Sequence, residues 1–139
     1  MKHQSGDGLD IIEKYDTFGD YIYKKLQEIP REHGILKARA INLIEEQPQL
    51  FYTAIRSEQI SRLHIADAGL DSIRHMLRRL ARHQTDIYVT NKETGKRVKK
   101  KGKFLLDQKA HLHASMILVE VGKMLGATIK NKERKSNKR

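Results

Sequence analysis

Leu63, Ala66, Leu70, Ile73, Leu77 and Leu80 step along the chain by 3, 4, 3, 4 and 3 residues. An α-helix gathers such positions into one apolar stripe, and the stripe must be buried against other apolar surface. Sustained for almost three heptads, it is the seam of a helix packed against helices. Ser57 is a natural N-cap for it, with Glu58 in the first turn favouring the helix dipole.

Partner helices are legible on either side. Ile12, Tyr15, Phe18 or Gly19, Ile22, Leu26 and Ile29 recur at three- and four-residue steps, predicting a helix from about Leu9 to Ile29. Asp7 or Asp10 can cap its start, and Pro30 stands where such a helix stops. A second helix is expected from about Gly34 to Arg56, with Ile35, Ala38, Ile41, Ile44, Phe51, Ala54 and Ile55 as its apolar positions. Pro48 lies inside it. Proline removes one backbone hydrogen bond and crowds the preceding turn, so a kink or break is expected near Glu45 to Gln47.

The pattern fails between Thr85 and Lys103. Ile87, Val89 and Val98 flank Asn91-Lys92-Glu93-Thr94-Gly95, which reads as a hairpin turn. With so few apolar residues to hold it, a disordered loop is an equal reading. A fourth helix begins between Phe104 and Asp107 and ends near Lys130. The expected organisation is a flexible N-terminus at 1–8, a four-helix unit at 9–130 carrying a basic loop at 85–103, and a disordered basic tail at 131–139. Four amphipathic helices with mostly short links predict an all-α, antiparallel four-helix bundle. The fourth helix is apolar on more than one side. Ala110, Ala114, Ile117, Val121, Met124 and Leu125 cover one face, while Leu112, Met116 and Val119 fall roughly opposite. Either the helix is deeply buried, or the second side is a subunit interface.

The 139 residues fit one domain, and a chain of this size needs no disulfide or metal to fold. It has no cysteine, which excludes zinc fingers, thiol catalysis and disulfide frameworks and fits a reducing compartment. No uninterrupted apolar run approaches the ~20 residues of a membrane span. The first eight residues lack the apolar region of a signal peptide. A cytoplasmic protein without a membrane partner is expected.

Charge is distributed unevenly. The chain carries +11, of which residues 92–103 hold +6 and residues 130–139 hold +5. The remainder has 15 basic and 15 acidic residues and is neutral. Blocks of this kind are typical of segments that meet phosphate, although solubility alone is the simpler reading. The candidate nucleic-acid contacts are Lys96, Arg97, Lys99, Lys100, Lys101 and Lys103 in the loop, and Lys130, Lys132, Arg134 and Lys135 in the tail. Only Tyr88 and Phe104 lie near them as aromatics, so backbone attraction is better supported than base stacking. Arg74, Arg78 and Arg82 form an i, i+4, i+8 row beside the seam, extended by Arg79 and His75. The row is either a solvated face partly neutralised by Asp67 and Asp71, or a surface for phosphate or an acidic partner.

The search for catalysis is negative, and no enzyme, cofactor or metal is expected. Thr94-Gly95-Lys96 matches the close of a phosphate-binding loop, but no glycine stands five residues before Gly95. His111 and His113 are two apart on a helix and point in different directions, which suits structural histidines better than metal ligands. His64 with Asp67, and Asp71 with Arg74, have the spacing of helix-face hydrogen bonds and ion pairs.

Four segments occur in order: Ile29-Pro30-Arg31-Glu32-His33-Gly34, Gln59-Ile60-Ser61-Arg62-Leu63-His64-Ile65-Ala66-Asp67-Ala68-Gly69-Leu70, Leu77-Arg78-Arg79-Leu80, and Glu120-Val121-Gly122-Lys123-Met124-Leu125-Gly126. In combination they resemble the accessory variability determinant proteins of diversity-generating retroelements, over about residues 10–130. These belong to a wider group of four-helix-bundle proteins, some encoded within intervening sequences of large ribosomal RNA genes. The resemblance implies a homopentameric barrel of four-helix protomers. It implies binding of DNA and RNA with little sequence preference, and partnership with the retroelement's reverse transcriptase in mutagenic complementary-DNA synthesis. The accessory protein has no polymerase site of its own. Two features depart from the family pattern. The link at 85–103 is longer and more charged, and Pro48 interrupts a helix expected to be smoother. The long link fits an added nucleic-acid arm, or a stand-alone RNA-associated protein of the ribosomal intervening-sequence type.

Overall fold

All six residues of the Leu63–Leu80 seam are buried, and the helix they predict, α3, runs Ile60–Arg82. The computed structural model describes residues 9–57 and 59–137. In it α1 spans Leu9–Leu26, a short 3-10 turn Arg31–His33, α2 Gly34–Ser57 and α4 Gln108–Asn137. A two-stranded antiparallel ribbon, β1 Gln84–Thr90 and β2 Arg97–Phe104, stands between α3 and α4. The molecule is therefore a helical bundle with a small sheet, not purely α. Each helix packs on its two neighbours in the order α1, α2, α3, α4 and back to α1. The expected flexible segment 1–8, the Asp7 cap, the Glu58 contribution and the tail residues Lys138 and Arg139 lie outside the described residues.

The core is one cluster fed by every helix. α1 contributes Ile11, Ile12, Tyr15, Phe18, Ile22 and Leu26. It ends at Leu26 and not Ile29, but the turn into Pro30 still buries Ile29. In α2 the buried positions are Ala40, Ile44, Gln47, Phe51 and Ala54, a 4, 3, 4, 3 stripe. Ile35 and Ala38, expected inside, are exposed, because they lie off that stripe. Gln47 occupies a core position and satisfies it by donating Nε2 to the Ala66 carbonyl at 2.8 Å. Gly69 makes the α2–α3 approach possible. A methyl group there would collide with Gln47 Oε1 and sit 2.9 Å from Leu50 Cδ1.

Pro48 does not break α2. Its missing N–H would have bonded the carbonyl four residues earlier, that of Ile44. The Tyr15 hydroxyl donates to that carbonyl instead, at 2.6 Å and fully buried. The ring of Tyr15 packs at 5.4 Å from Phe18 and edge-on to Phe51 at 5.5 Å.

Two helix ends differ from expectation. Ser57 closes α2 and does not cap α3, whose N-cap is Gln59 without a side-chain bond. The Ser57 hydroxyl instead donates to the Ala54 carbonyl and accepts the Gln59 N–H, both at 3.3 Å. At the other end of the chain the tail is helical through Asn137. No glycine or proline follows Gly126 to stop it, and Ile129 is buried. Glu133 reaches His64 of α3 at 3.9 Å. Asp107 caps the start of α4 by accepting the Ala110 N–H at 2.7 Å.

Candidate nucleic-acid interface

The segment left open between hairpin and loop is a hairpin, and its foot and turn explain why. At the foot, Leu106 N–H donates to the Leu80 carbonyl at 3.2 Å and Leu105 N–H to that of His83 at 2.8 Å. Leu105, Leu106 and Thr85 are buried there, and Gln84 Nε2 donates to the Gly102 carbonyl at 3.1 Å. Gly102 lets the two strands close up beside a bulge, since a methyl group would meet Thr85 Oγ1 and Ile87 Cγ2. At the tip, Asn91 Oδ1 accepts the Glu93 N–H at 2.8 Å, and Gly95 takes a left-handed φ of 71°. Local hydrogen bonding thus replaces the apolar mass the segment lacks.

The register divides the ribbon into two unlike faces. Ile87 pairs with Lys100 and Val89 with Val98, so these four share one face. Asp86 pairs with Lys101, Tyr88 with Lys99 and Thr90 with Arg97, and these six share the other. On that second face Asp86 lies 3.4 Å from Lys99 and 3.8 Å from Lys101. The Arg97 guanidinium stands over the Tyr88 ring at 5.0 Å. Lys96 is in the turn, where its N–H donates to the Thr94 hydroxyl at 3.3 Å. Lys103 belongs to the foot, where it lines a cleft with Lys25, Glu28, Pro30 and Phe104. The six loop cations are therefore not equivalent.

The second basic block sits at the far end of the bundle. α4 starts beside the end of α3, through Leu106 and Leu80, and finishes beside its start, through Glu133 and His64. At 1.5 Å per residue, α4 sets Lys130 to Lys135 about 33–40 Å from its own start beside the ribbon's foot. Lys130, Arg134 and Lys135 are exposed on its last turns, and Lys132 is half-buried.

The arginine row is split. Arg74 donates to Asp71 at 2.6 Å and to the Leu118 carbonyl at 3.3 Å, tying α3 to α4 through space left by Gly122. It is a structural bracket. Arg78, Arg79 and Arg82 are exposed. On α4 the His111 imidazole is held below its ordinary pKa, first by burial and then by the charges of Arg78 and Arg82. His113 packs instead on Tyr21 at 4.4 Å, so the two histidines do diverge. Among the described residues no group of three or more histidine or acidic side chains is placed to hold a metal ion.

On α4, Ala110, Ala114, Ile117, Val121 and Leu125 face the core, whereas Leu112, Met116 and Val119 are 62%, 62% and 49% exposed. The deeply buried reading of this helix fails within a single chain. By length and composition alone α4 is apolar enough to cross a membrane, and its core-facing side contributes to that apolar character.

Sequence reasoning missed the place of Tyr88 and Asp86 in the site. Their membership of the charged face follows from strand parity, but only once the turn at Asn91–Gly95 fixes the register. No protein-family model matches the chain, and no curated protein matches its sequence.

Proposed function

We propose that this protein is a non-catalytic, nucleic-acid-binding accessory protein that partners a reverse transcriptase in RNA-templated, mutagenic complementary-DNA synthesis. The observation that carries the binding half is the charge architecture. A helical body with balanced charge bears a basic ribbon at one end and a basic helix terminus at the other. Such an arrangement attracts a phosphate chain without reading its bases. The reverse-transcriptase half rests on the sequence resemblance. Exposed Arg78 and Arg79, on a rigid helix, are the candidates for a partner held in one geometry.

The test is co-expression and co-purification with a diversity-generating retroelement reverse transcriptase, followed by RNA-templated synthesis with and without the protein. The protein is expected to co-purify and to raise complementary-DNA yield. Arg78→Ala with Arg79→Ala should lose that stimulation while circular dichroism stays helical, since arginine stems also cover apolar surface. RNA binding without any reverse-transcriptase association would instead support the ribosomal intervening-sequence type. A folded double mutant that stimulates synthesis normally makes the arginine row a solvated face.

In this reading the working form is a homo-oligomer, a ring of five by resemblance. Its support in the fold is the exposed Leu112, Met116 and Val119 stripe. Light scattering at micromolar concentration should return a particle of about 80 kDa, five chains of 16.1 kDa. Met116→Lys should dissociate it with the helices intact. A 16.1 kDa particle from the unaltered protein would defeat the assembly.

A further inference from the structure

We propose that the Tyr88 face of the ribbon is a seat for single-stranded nucleic acid, with an unstacked base on the Tyr88 ring and the adjoining phosphates on Arg97, Lys99 and Lys101. The inference deepens the nucleic-acid reading above and rests on it.

Three observations converge on that face. The strand period puts Arg97, Lys99 and Lys101 on one side of β2, each about 6.6–6.8 Å from the next, close to the spacing of successive phosphates along an extended strand. Tyr88 stands directly across from Lys99, in the middle of this row and not at its edge. Tyr88 is 57% exposed although Arg97 covers part of its ring. A guanidinium over part of a half-exposed phenol ring, with further cations in the same row, joins a stacking surface to phosphate contacts, the combination that holds single strands without regard to sequence.

The alternative occupant is a duplex. Lysines and arginines alone would serve it equally well, because its phosphates are outside and its base faces are hidden. A tyrosine ring has a base face to stack on only where bases are unstacked. Tyr88 is therefore the residue that distinguishes the two. The opposite face of the ribbon, Ile87, Val89 and Val98 with Lys100, offers one cation amid aliphatic side chains, and its aromatic residue, Phe104, is at the foot, four residues beyond Lys100. Asp86 lies 3.4 Å from Lys99 and 3.8 Å from Lys101, so a phosphate at either lysine competes with one carboxylate, while Arg97 stands nearer the tip beyond both pairs.

The test is fluorescence anisotropy of the full-length protein with a labelled 20-nucleotide single strand and with the duplex of the same sequence, at fixed salt. Tyr88→Val keeps a β-favouring residue in the strand and removes the ring. It is expected to weaken single-strand binding by about 5- to 150-fold, the worth of one base stack, and to leave duplex binding within about twofold. Tyr88→Trp should bind the single strand at least as tightly as the unaltered protein. Lys99→Gln should flatten the single-strand salt dependence more than Lys100→Gln, which removes the same charge from the other face. Equal losses on single strand and duplex, or no loss on either, would overturn the seat while leaving the basic protein a nucleic-acid binder. Absence of binding by the unaltered protein to both probes would overturn the broader reading as well.

Discussion

Exchanging Lys99, Lys100, Lys101 and Lys103 for glutamine is expected to lower nucleic-acid affinity on the order of 10²- to 10³-fold at 50 mM salt. The unaltered protein should itself lose on the order of 10³-fold or more between 50 and 200 mM salt, with log affinity linear in log salt. Each lysine that touches a phosphate of a single strand contributes about 0.7 to that slope. Four genuine contacts would flatten it by about 2.8, and each lysine turned away from the strand reduces the change by the same step. Because Lys100 is on the aliphatic face and Lys103 at the foot, a flattening nearer two contacts than four is expected. Probes of equal length and different sequence should bind within a few-fold of each other. Melting temperature should not move, since none of the four side chains is buried. Affinity that is insensitive to salt, or strong preference among sequences, would remove phosphate attraction as the basis of binding.

The second large effect concerns the core. Tyr15→Phe keeps the ring among Phe18 and Phe51 and deletes only the hydroxyl. That hydroxyl stays protonated in any ordinary buffer. Burial raises its pKa far above that of a free phenol, with smaller contributions from Glu45 and Asp16. Without it the Ile44 carbonyl is left unpaired in the core, at a cost of about 1–3 kcal/mol. Pro48→Ala restores an N–H to the same carbonyl from within the helix. In that background Tyr15→Phe should cost less than about 1 kcal/mol, because an acceptor is no longer orphaned. Urea unfolding of the four proteins in this cycle gives the coupling directly. If the two costs agree within about 0.5 kcal/mol, Tyr15 and Pro48 are independent and the proline is tolerated for another reason.

The same pair marks where the sequence stops being readable. Leu63 to Leu80 could be placed because every residue of the seam reports on its own helix at short range. The predicted break at Pro48 does not occur, because its remedy is on another helix, 33 positions earlier in the chain. Gln47 in the core escaped notice likewise, since its partner carbonyl belongs to α3. The expectation of a disordered tail counted charge and overlooked that Ile129 has a buried place and that nothing after Gly126 ends the helix. For the candidate site, the basic residues were plain from composition, but which of them act together was not. Strand register decides that, and one residue of slip would exchange the two faces. Arg74 was indistinguishable from Arg78 along the row; only its bonds to Asp71 and the Leu118 carbonyl separate a bracket from an open contact.

The ribbon leaves the bundle and returns to it at one place, where Leu106 meets Leu80 and Leu105 meets His83. The helices on either side are already adjacent there. A graft at such a joint shifts neither the phase nor the pairing of the helices, and its removal would leave them the same short gap to close. Bundle and ribbon can thus drift separately over descent. The helices are constrained by one another, while what hangs between α3 and α4 can lengthen, shorten or change its charge without disturbing them. A relative lacking the ribbon would be the same scaffold with a different handle.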